Sequence, residues 1–387
     1  MLLYFFVFLI ITLFALVNDD SSNNTVVKNK DKYSWISISF ILIIFVGLRD
    51  SVGGDFGNYI NSYYKPDKPF SDGLLVTEHN IITLIKDISF VLINKLVAHY
   101  NGTPYLVNLI LGIIFILSLI KFCKNNPRPW LGLIILYPYF ITVVGMGYNR
   151  QSLALAIFMV ALTQLEKFNY FKYYLLIFVG FTFHFSALLM LPFGFIHFNF
   201  FKSKKYMLLL GLSLLIFSYP FYVFFRDIIM DILHNFNSIS YSSSGAYVRG
   251  FMNVLPSILL LIFHKKLFKD VKNTSIWKWM AWLSIFAFCI LPFVPSTALI
   301  DRIALIFIPI QVFVLTRMPD LFKSTNKSDY FIYLMIIIYS FFILLIWAYF
   351  GSFSYWWYPY KNIILEIIID GPSAINNYKQ FFEIHSD

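Results

Sequence analysis

The sequence predicts an all-α protein that crosses a membrane many times. Hydrophobic residues make up 59% of the 387 residues and charged residues only 13%, about half the charged share of a soluble protein. The mean hydropathy is +0.71. Apolar runs that approach the length of a membrane-spanning helix, about 20 residues, recur from one end of the chain to the other.

Twelve apolar segments are candidate transmembrane helices. They lie roughly at 1–17, 33–48, 104–120, 130–147, 150–165, 172–183, 186–200, 206–224, 250–264, 276–294, 300–316 and 329–350. The first has no basic leading region and no evident cleavage site, so we expect a retained span and not a removed signal peptide. We therefore predict one transmembrane unit at 1–350 and an outer tail at 351–387, which begins with an interfacial aromatic belt.

Two segments decide the predicted topology. In 78–98, apolar residues recur at helical spacing but are interrupted by charged and amide side chains, which favours an amphipathic helix on the outer membrane surface, after the second span. The segment 172–200 is long enough for two short spans, and we divide it at His184. With both decisions the lysines fall in short loops on one side, which makes that side cytoplasmic. Their placement explains the net charge of +10 without a nucleic-acid partner.

The arginines are distributed differently from the lysines. Five of them are predicted at or near the outer ends of spans: Arg49, Arg150, Arg226, Arg249 and Arg302. A guanidinium group stays charged and binds phosphate in a two-pronged geometry. These residues therefore indicate an anionic ligand on the outer side, where the larger loops are 49–103 and 225–249. The alternative for Arg49 and Arg150 is that each only extends to the membrane surface from a helix end. For Arg302 the alternative is an ion pair with Asp301.

Two further candidates could supply acid–base chemistry. The stretch Val46–Tyr64 leaves an apolar helix and, from Arg49 onward, contains an arginine, two aspartates and three glycines. Such a polar cluster at a span mouth is costly unless it has a function. Its Asp55 is one candidate base, although a solvated turn is the alternative. His184 is the other, although a lone histidine among apolar residues is often structural. No metal or cofactor motif occurs, and Cys123 and Cys289 are isolated.

Four segments carry a family resemblance. Residues 46–59, V-G-L-R-D-S-V-G-G-D-F-G-N-Y, resemble a signature of the EpsG family in which G-x-R is followed by glycine and then by D-x-x-x-Y. Members of this family are Wzy-like polymerases of exopolysaccharide and O-antigen. N-R-Q-S-L-A-L-A at 149–156, H-F-S-A-L-L-M-L-P at 184–192 and D-R-I-A-L-I-F at 301–307 resemble its later motifs. One departure is the second glycine before Asp55, where the family commonly has a small polar residue.

The resemblance implies a metal-independent glycosyltransferase in the bacterial inner membrane, with its active site facing the periplasm. Its substrates would be oligosaccharide repeat units linked to undecaprenyl pyrophosphate, and its partners membrane lipid and a chain-length regulator protein. We expect Arg49, Arg150, Arg249 and Arg302 to converge on the pyrophosphate, where negative charge develops. Asp55 or His184 would take the proton of the attacking hydroxyl.

Three other functions remain alternatives at this stage. An O-antigen ligase would use the same donor, but the largest outer segment falls early, at 49–103, which favours a polymerase. A flippase or transporter of lipid-linked sugars would place charged residues at mid-membrane and on both faces of a central path. A membrane acyltransferase would need a cytoplasmic or intramembrane histidine, whereas His184 is predicted toward the outside.

Overall fold

The structure is a computed structural model, and it describes residues 1–18, 25–64, 87–195, 243, 245–269, 271–294, 297–321 and 326–371. Helices α1 to α5 are Leu2–Asn18, Thr25–Gly47, Phe56–Tyr64, Ile88–His99 and Pro104–Cys123. Helices α6 to α10 are Pro129–Gly147, Asn149–Glu166, Tyr170–Phe183, Ala246–Leu267 and Thr274–Ile290. Helices α11 to α15 are Thr297–Ala304, Ile308–Leu315, Met318–Leu321, Asn326–Phe350 and Ile363–Asp370. Four 3-10 segments are Phe185–Gly194, Leu291–Phe293, Leu305–Phe307 and Ser354–Trp357, and two short strands are β1, Arg49–Asp50, and β2, Lys361–Asn362.

Helices α6 and α7 form the centre of the protein. Nearly every side chain of both helices is buried. They are joined by Tyr148, whose backbone leaves the helical region with φ −130° and ψ 64°. Within α6, residues 137–144 form a π-helical stretch. Pro138 lies at its start and has no N–H for the normal helical hydrogen bond, which accounts for the wider turn at this point.

Small residues let the second and fifth helices pack closely. A β-carbon added at Gly112 of α5 would lie 2.9 Å from the α-carbon of Gly47 in α2, so the two backbones are nearly in contact. Close approach of this kind is how helices in membranes gain packing energy, since lipid tails remove the hydrophobic drive between them. The contact fixes the end of α2, from which the strand Arg49–Asp50 begins.

Within the described residues, five helices are long and apolar enough to cross a membrane: Pro104–Cys123, Pro129–Gly147, Ala246–Leu267, Thr274–Phe293 and Asp329–Phe350. All five coincide with segments predicted as spans, and the mainly helical structure agrees with the predicted fold class. The total of about twelve spans stays a prediction, and the segment 206–224 lies outside the described residues.

The predicted division at His184 has a counterpart in the structure. Helix α8 ends at Phe183, His184 is extended with φ −159° and ψ 132°, and a 3-10 helix begins at Phe185. The surface helix predicted at 78–98 is described from residue 87 onward, as α4. Its exposed residues include the apolar Val91, Leu92 and Leu96 and the charged Lys95, and its position on the membrane surface stays a prediction.

The described loops gather at two ends of the helices. At one end, Arg128 pairs with Asp320 at 2.8 Å, Arg317 donates to Asn126 at 2.9 Å, and Asn273 donates to the carbonyl of Leu165 at 3.3 Å. We call this the Arg128 end. It contains described parts of loops that the sequence places together on the cytoplasmic side. The other end, which we call the Arg49 end, contains the short strands and the described arginines predicted outside.

The C-terminal segment packs onto the Arg49 end. Strand β2 pairs antiparallel with β1, with Arg49 opposite Asn362 and Asp50 opposite Lys361. Trp357 is 4% exposed, and its indole N–H donates to the carbonyl of Thr142 in α6 at 2.9 Å. Thus the described part of the tail is attached to the same backbone elements that carry the Arg49 loop.

Candidate active site

Arg49 organises the loop that follows α2. Its guanidinium is 1% exposed and donates to the carbonyl oxygens of Val46 at 2.5 Å, Val52 at 3.0 Å and Met146 at 2.9 Å. A further bond of 2.5 Å joins it to the Asn149 side chain. Most of its five N–H donors are therefore used inside the protein, and Arg49 fastens the loop to the junction of α6 and α7.

The loop can approach that junction only because residue 53 is a glycine. Gly53 has a φ of +100°, and a β-carbon there would lie 2.2 Å from the carbonyl oxygen of Met146. Its N–H donates to the carbonyl of Trp356 at 3.0 Å. By contrast, β-carbons added at Gly54 and Gly57 would meet nothing within 4 Å. Of the three glycines in this loop, Gly53 is the one that the backbone geometry requires.

The motif that begins α7 contacts four other parts of the chain. Asn149 bonds Arg49 and also donates to Asn108 at 3.0 Å, Arg150 pairs with Asp87, and Gln151 lies 3.4 Å from the carbonyl oxygen of Arg302. Successive helical residues point about 100° apart, so the three adjacent side chains reach four different segments. This accounts for an asparagine, an arginine and a glutamine in a row at a buried helix start.

The Arg150–Asp87 ion pair is buried. The two side chains are 4% and 6% exposed, and the Arg150 guanidinium also lies 5.8 Å from the centre of the Phe90 ring. Asp87 has a positive φ of 59°, an uncommon conformation for a residue with a side chain. Here Arg150 is neutralised within the protein, next to the first turn of α4.

A second ion pair joins helices α9 and α11. Arg249 donates to Asp301 through Nε and through Nη2, both at 2.6 Å, and Nη2 also bonds the Ser243 hydroxyl. The pair is partly open, with side-chain exposures of 24% and 16%. Among the described residues, the Nη1 group of Arg249 makes no hydrogen bond.

Arg302 is the exposed arginine of this region. Within the described part of the chain its guanidinium makes no hydrogen bond or ion pair. Its neighbour Asp301 turns toward Arg249 instead, as expected for adjacent residues on a helix, which do not face each other. As far as the described residues go, Arg302 is therefore a cation that a ligand can reach without first breaking an internal contact.

Tyr148 lies where these charges meet. Desolvation by burial raises the pKa of the Tyr148 hydroxyl. The charges of four side chains also affect this pKa: Arg302 and Arg249 lower it, whereas Asp55 and Asp301 raise it. Electrostatic effects weaken with separation, so these charged side chains lie in the neighbourhood of the Tyr148 hydroxyl. We call these five residues the Tyr148 cluster. The Tyr148 side chain is 37% exposed, so the cluster is open at the surface of the Arg49 end.

The structure places His184 in a different local setting. Its Nδ1 accepts a hydrogen bond from the backbone N–H of Ser186 at 3.2 Å and lies 2.8 Å from the Ser186 hydroxyl. The imidazole thus caps the 3-10 helix that begins at Phe185. These contacts give His184 and Ser186 a structural role, and an acid–base role for His184 stays a prediction.

Of the predicted site residues, the structure brings Asp55, Arg249 and Arg302 together in the Tyr148 cluster. It places Arg49 and Arg150 in buried contacts beside it, while Arg226 lies outside the described residues. Sequence reasoning did not select Tyr148, Asp87 or Asp301; the available signals were a tyrosine at a very short interhelical link and acidic residues inside apolar segments. Among the described residues, no three His, Cys, Asp or Glu side chains lie together in a group that could hold a metal ion.

Comparison with known proteins gives one match. The model of the EpsG family matches residues 32–362, which include the Arg49 loop, the start of α7, His184 and Arg302. No curated protein and no solved structure matches the chain. Since the family model covers most of the sequence, the chain belongs to the EpsG family.

Proposed function

We propose that this membrane protein joins lipid-linked oligosaccharide repeat units into a polysaccharide, by glycosyl transfer without a metal ion at the periplasmic face of the bacterial inner membrane. Membership in the EpsG family supports a polymerase of this general kind. The observation that carries the proposal is the gathering of Asp55, Arg249, Asp301 and Arg302 around Tyr148. The cluster places two guanidinium groups and the Asp55 carboxylate near one another at the surface of the Arg49 end.

The reaction needs positive charge where the leaving group departs. A hydroxyl of the acceptor attacks the anomeric carbon of the donor, the bond from that carbon to the diphosphate oxygen breaks, and undecaprenyl pyrophosphate leaves. Arg302, exposed and without an internal partner among the described residues, is assigned to the diphosphate. The Nη1 group of Arg249 is assigned beside it, because Asp301 holds the other side of that guanidinium and so orients it.

The attacking hydroxyl also needs a base. Asp55 is assigned this role because its carboxylate is partly exposed and lies in the Tyr148 cluster, where it can receive the proton from the acceptor hydroxyl. His184 is assigned a structural role because its Nδ1 caps a helix. Arg49 and Arg150 position the loop and the start of α7, so we assign them to support of the site and not to direct contact with diphosphate.

Deletion of the gene in its own strain tests this function. The expected result is a surface glycan that carries a single repeat unit, together with accumulation of lipid-linked single units in the membrane. Complementation with the natural gene should restore a ladder of lengths. Loss of all attached glycan would contradict the proposal and would favour a ligase if lipid-linked polymer accumulates, or a flippase if single units accumulate on the cytoplasmic side.

A further inference from the structure

A chain of side-chain hydrogen bonds runs from the Arg49 loop to helix α5 and fixes the direction of two amide groups. Arg49 carries only donors, and its Nη2 binds the side-chain oxygen of Asn149 at 2.5 Å. The amide nitrogen of Asn149 is then free to donate, and it binds the side-chain oxygen of Asn108 at 3.0 Å. The amide nitrogen of Asn108 is therefore turned away from Asn149, because the reverse orientation would bring two donors together.

Both ends of this chain keep an unused donor. The Asn108 side chain is 3% exposed, and its Nδ2 makes no hydrogen bond with any described residue. Arg49 has five N–H donors, and its four hydrogen bonds use all of them except one on Nη1. An unmatched buried N–H group is costly, so we expect an acceptor beside Asn108.

A small cavity lies where α2, α5, α6 and α7 meet. Its polar lining consists of Arg49, Asn108, Asn149 and Ser152, and the rest is apolar or glycine. The cavity leaves about 10 Å³ for the centre of a water-sized atom, roughly the space that one bound water requires. An occupant is therefore a water molecule or a small ion, and a sugar or a phosphate group is too large.

The charges around this cavity favour an anion over a neutral molecule. Arg49 is 1% exposed, and its partners are three carbonyl oxygens and one amide, so no carboxylate among the described residues neutralises it. None of the residues that line the cavity is acidic. Asn149 and Ser152 belong to the first turn of α7, and a helix N-terminus carries partial positive charge. Since a buried charge is costly without a counter-charge, an anion here would stabilise the Arg49 loop.

We propose that this cavity binds a small monovalent anion such as chloride. The Nδ2 group of Asn108 and the remaining Nη1 N–H of Arg49 donate to the anion, which neutralises Arg49 and completes the attachment of the Arg49 loop to α5 and α7. The lining of the cavity includes no residue of the Tyr148 cluster, so the proposal does not depend on the reaction assigned to that cluster.

The dependence of unfolding on chloride tests this proposal with the purified full-length protein in detergent. The reference buffer contains gluconate, an anion that is too large for the cavity. Replacing gluconate with chloride up to ~150 mM, at constant ionic strength, should raise the unfolding temperature by roughly 2–5 °C and then saturate. Bromide should act in the same way. Equal unfolding temperatures in chloride and gluconate would overturn the proposal, because the cavity would then hold only water.

Two variants connect the chloride effect to this cavity. Asn108→Asp keeps the acceptor oxygen but replaces the Nδ2 donor with a second oxygen and adds a negative charge, so it repels an anion and should abolish the chloride-dependent shift. Ser152→Val fills the cavity with a larger apolar side chain and leaves the other polar residues in place, so it should abolish the shift as well.

Asn126→Asp is the matched control. Asn126 is also buried and accepts a hydrogen bond from an arginine, Arg317, but it lies at the Arg128 end, so this variant should keep the chloride-dependent shift. Loss of the shift in Asn126→Asp would overturn the proposal. So would an undiminished shift in folded Asn108→Asp or Ser152→Val, since the anion would then act elsewhere on the protein.

Discussion

Arg49 and Asn149 are 100 positions apart in the sequence and are joined by a hydrogen bond of 2.5 Å. The bond connects the loop after α2 to the first residue of α7, at the junction where Tyr148 leaves the helical conformation. Because the same guanidinium also binds three backbone carbonyls, the position of the loop depends on one side chain. Asp55 lies six residues further along and is placed by this arrangement.

Replacement of Arg49 by lysine should destabilise the protein. A lysine keeps the positive charge but cannot bind several carbonyls at once with a planar fork, and buried acceptors would lose their partners. We expect a loss of about 2–4 kcal/mol, seen as a lower unfolding temperature in detergent, together with lower polymer yield. Arg128→Lys is the control, since its ion pair is more exposed. Equal unfolding temperatures for Arg49→Lys and the natural protein would contradict the assigned role.

The Gly53→Ala variant should be poorly folded. A β-carbon there would overlap the Met146 carbonyl oxygen at 2.2 Å, and the φ of +100° is unfavourable for alanine. We expect reduced expression and a clearly lower unfolding temperature. Gly54→Ala is the matched control, because its β-carbon would enter open space. If both variants unfold at the temperature of the natural protein, the close approach of loop and junction is not present in solution.

Replacement of Arg302 by alanine should abolish activity but leave stability nearly unchanged. The side chain is exposed and makes no internal polar contact among the described residues, so folding loses little when it is removed. Loss of one group that stabilises developing charge typically lowers the rate about 100- to 1000-fold. Glycan ladders of complemented strains and unfolding temperatures in detergent measure the two effects. Lys266→Ala, an exposed cation in the last turn of α9, should keep the natural ladder.

Asp55 and His184 should respond differently to conservative replacement. Asp55→Asn removes the proposed base and should prevent polymerisation while preserving expression. His184→Asn keeps a side-chain oxygen that can accept the Ser186 N–H, so its ladder should remain close to that of the natural protein. If the Asp55→Asn strain made a normal ladder and the His184→Asn strain, with a stably folded protein, made none, the base would be His184 and not Asp55.

The Arg150–Asp87 pair should show strong coupling between its two members. Asp87→Ala alone leaves a buried, uncompensated guanidinium and should cost about 3–5 kcal/mol. Arg150→Met combined with Asp87→Ala removes both charges and should cost less than the sum of the single changes. Unfolding temperatures of all four proteins give the coupling. Additive effects would mean that the ion pair is not formed.

Arg150→Lys should retain charge but lose much activity, because the lysine cannot reproduce the contacts that orient the start of α7.

The sequence contains enough information to predict the helices but not the partners of its charged residues. Long apolar runs place α5, α6, α9, α10 and α14, and the lone His184 correctly marks a break. A polar residue at a span end can bind a ligand, extend to solvent or join another helix, and spacing along one helix does not distinguish these cases. For this reason the sequence predicts Arg49 and Arg150 to be ligand-binding residues like Arg302, whereas in the structure their contacts lie inside the protein.

The sequence also fails to predict contacts between residues that lie far apart along the chain. Asp301 and Arg249 are separated by 52 positions, and Asp87 and Arg150 by 63, so no local pattern records either pair. Tyr148 looks like one of many aromatic residues in a chain with 26 tyrosines. Only the junction of α6 and α7 shows that it lies beside four charged side chains.

Turnover of purified lipid-linked repeat units tests the central claim most directly. The deletion strain should supply these units, and the natural protein, in nanodiscs, should convert them into oligomers with release of undecaprenyl pyrophosphate. Under the same conditions the Arg302→Ala protein should bind and react at least about 100-fold more slowly. Failure of the folded natural protein to form oligomers, or equal rates for the natural and Arg302→Ala proteins, would contradict a diphosphate-binding active site at the Tyr148 cluster.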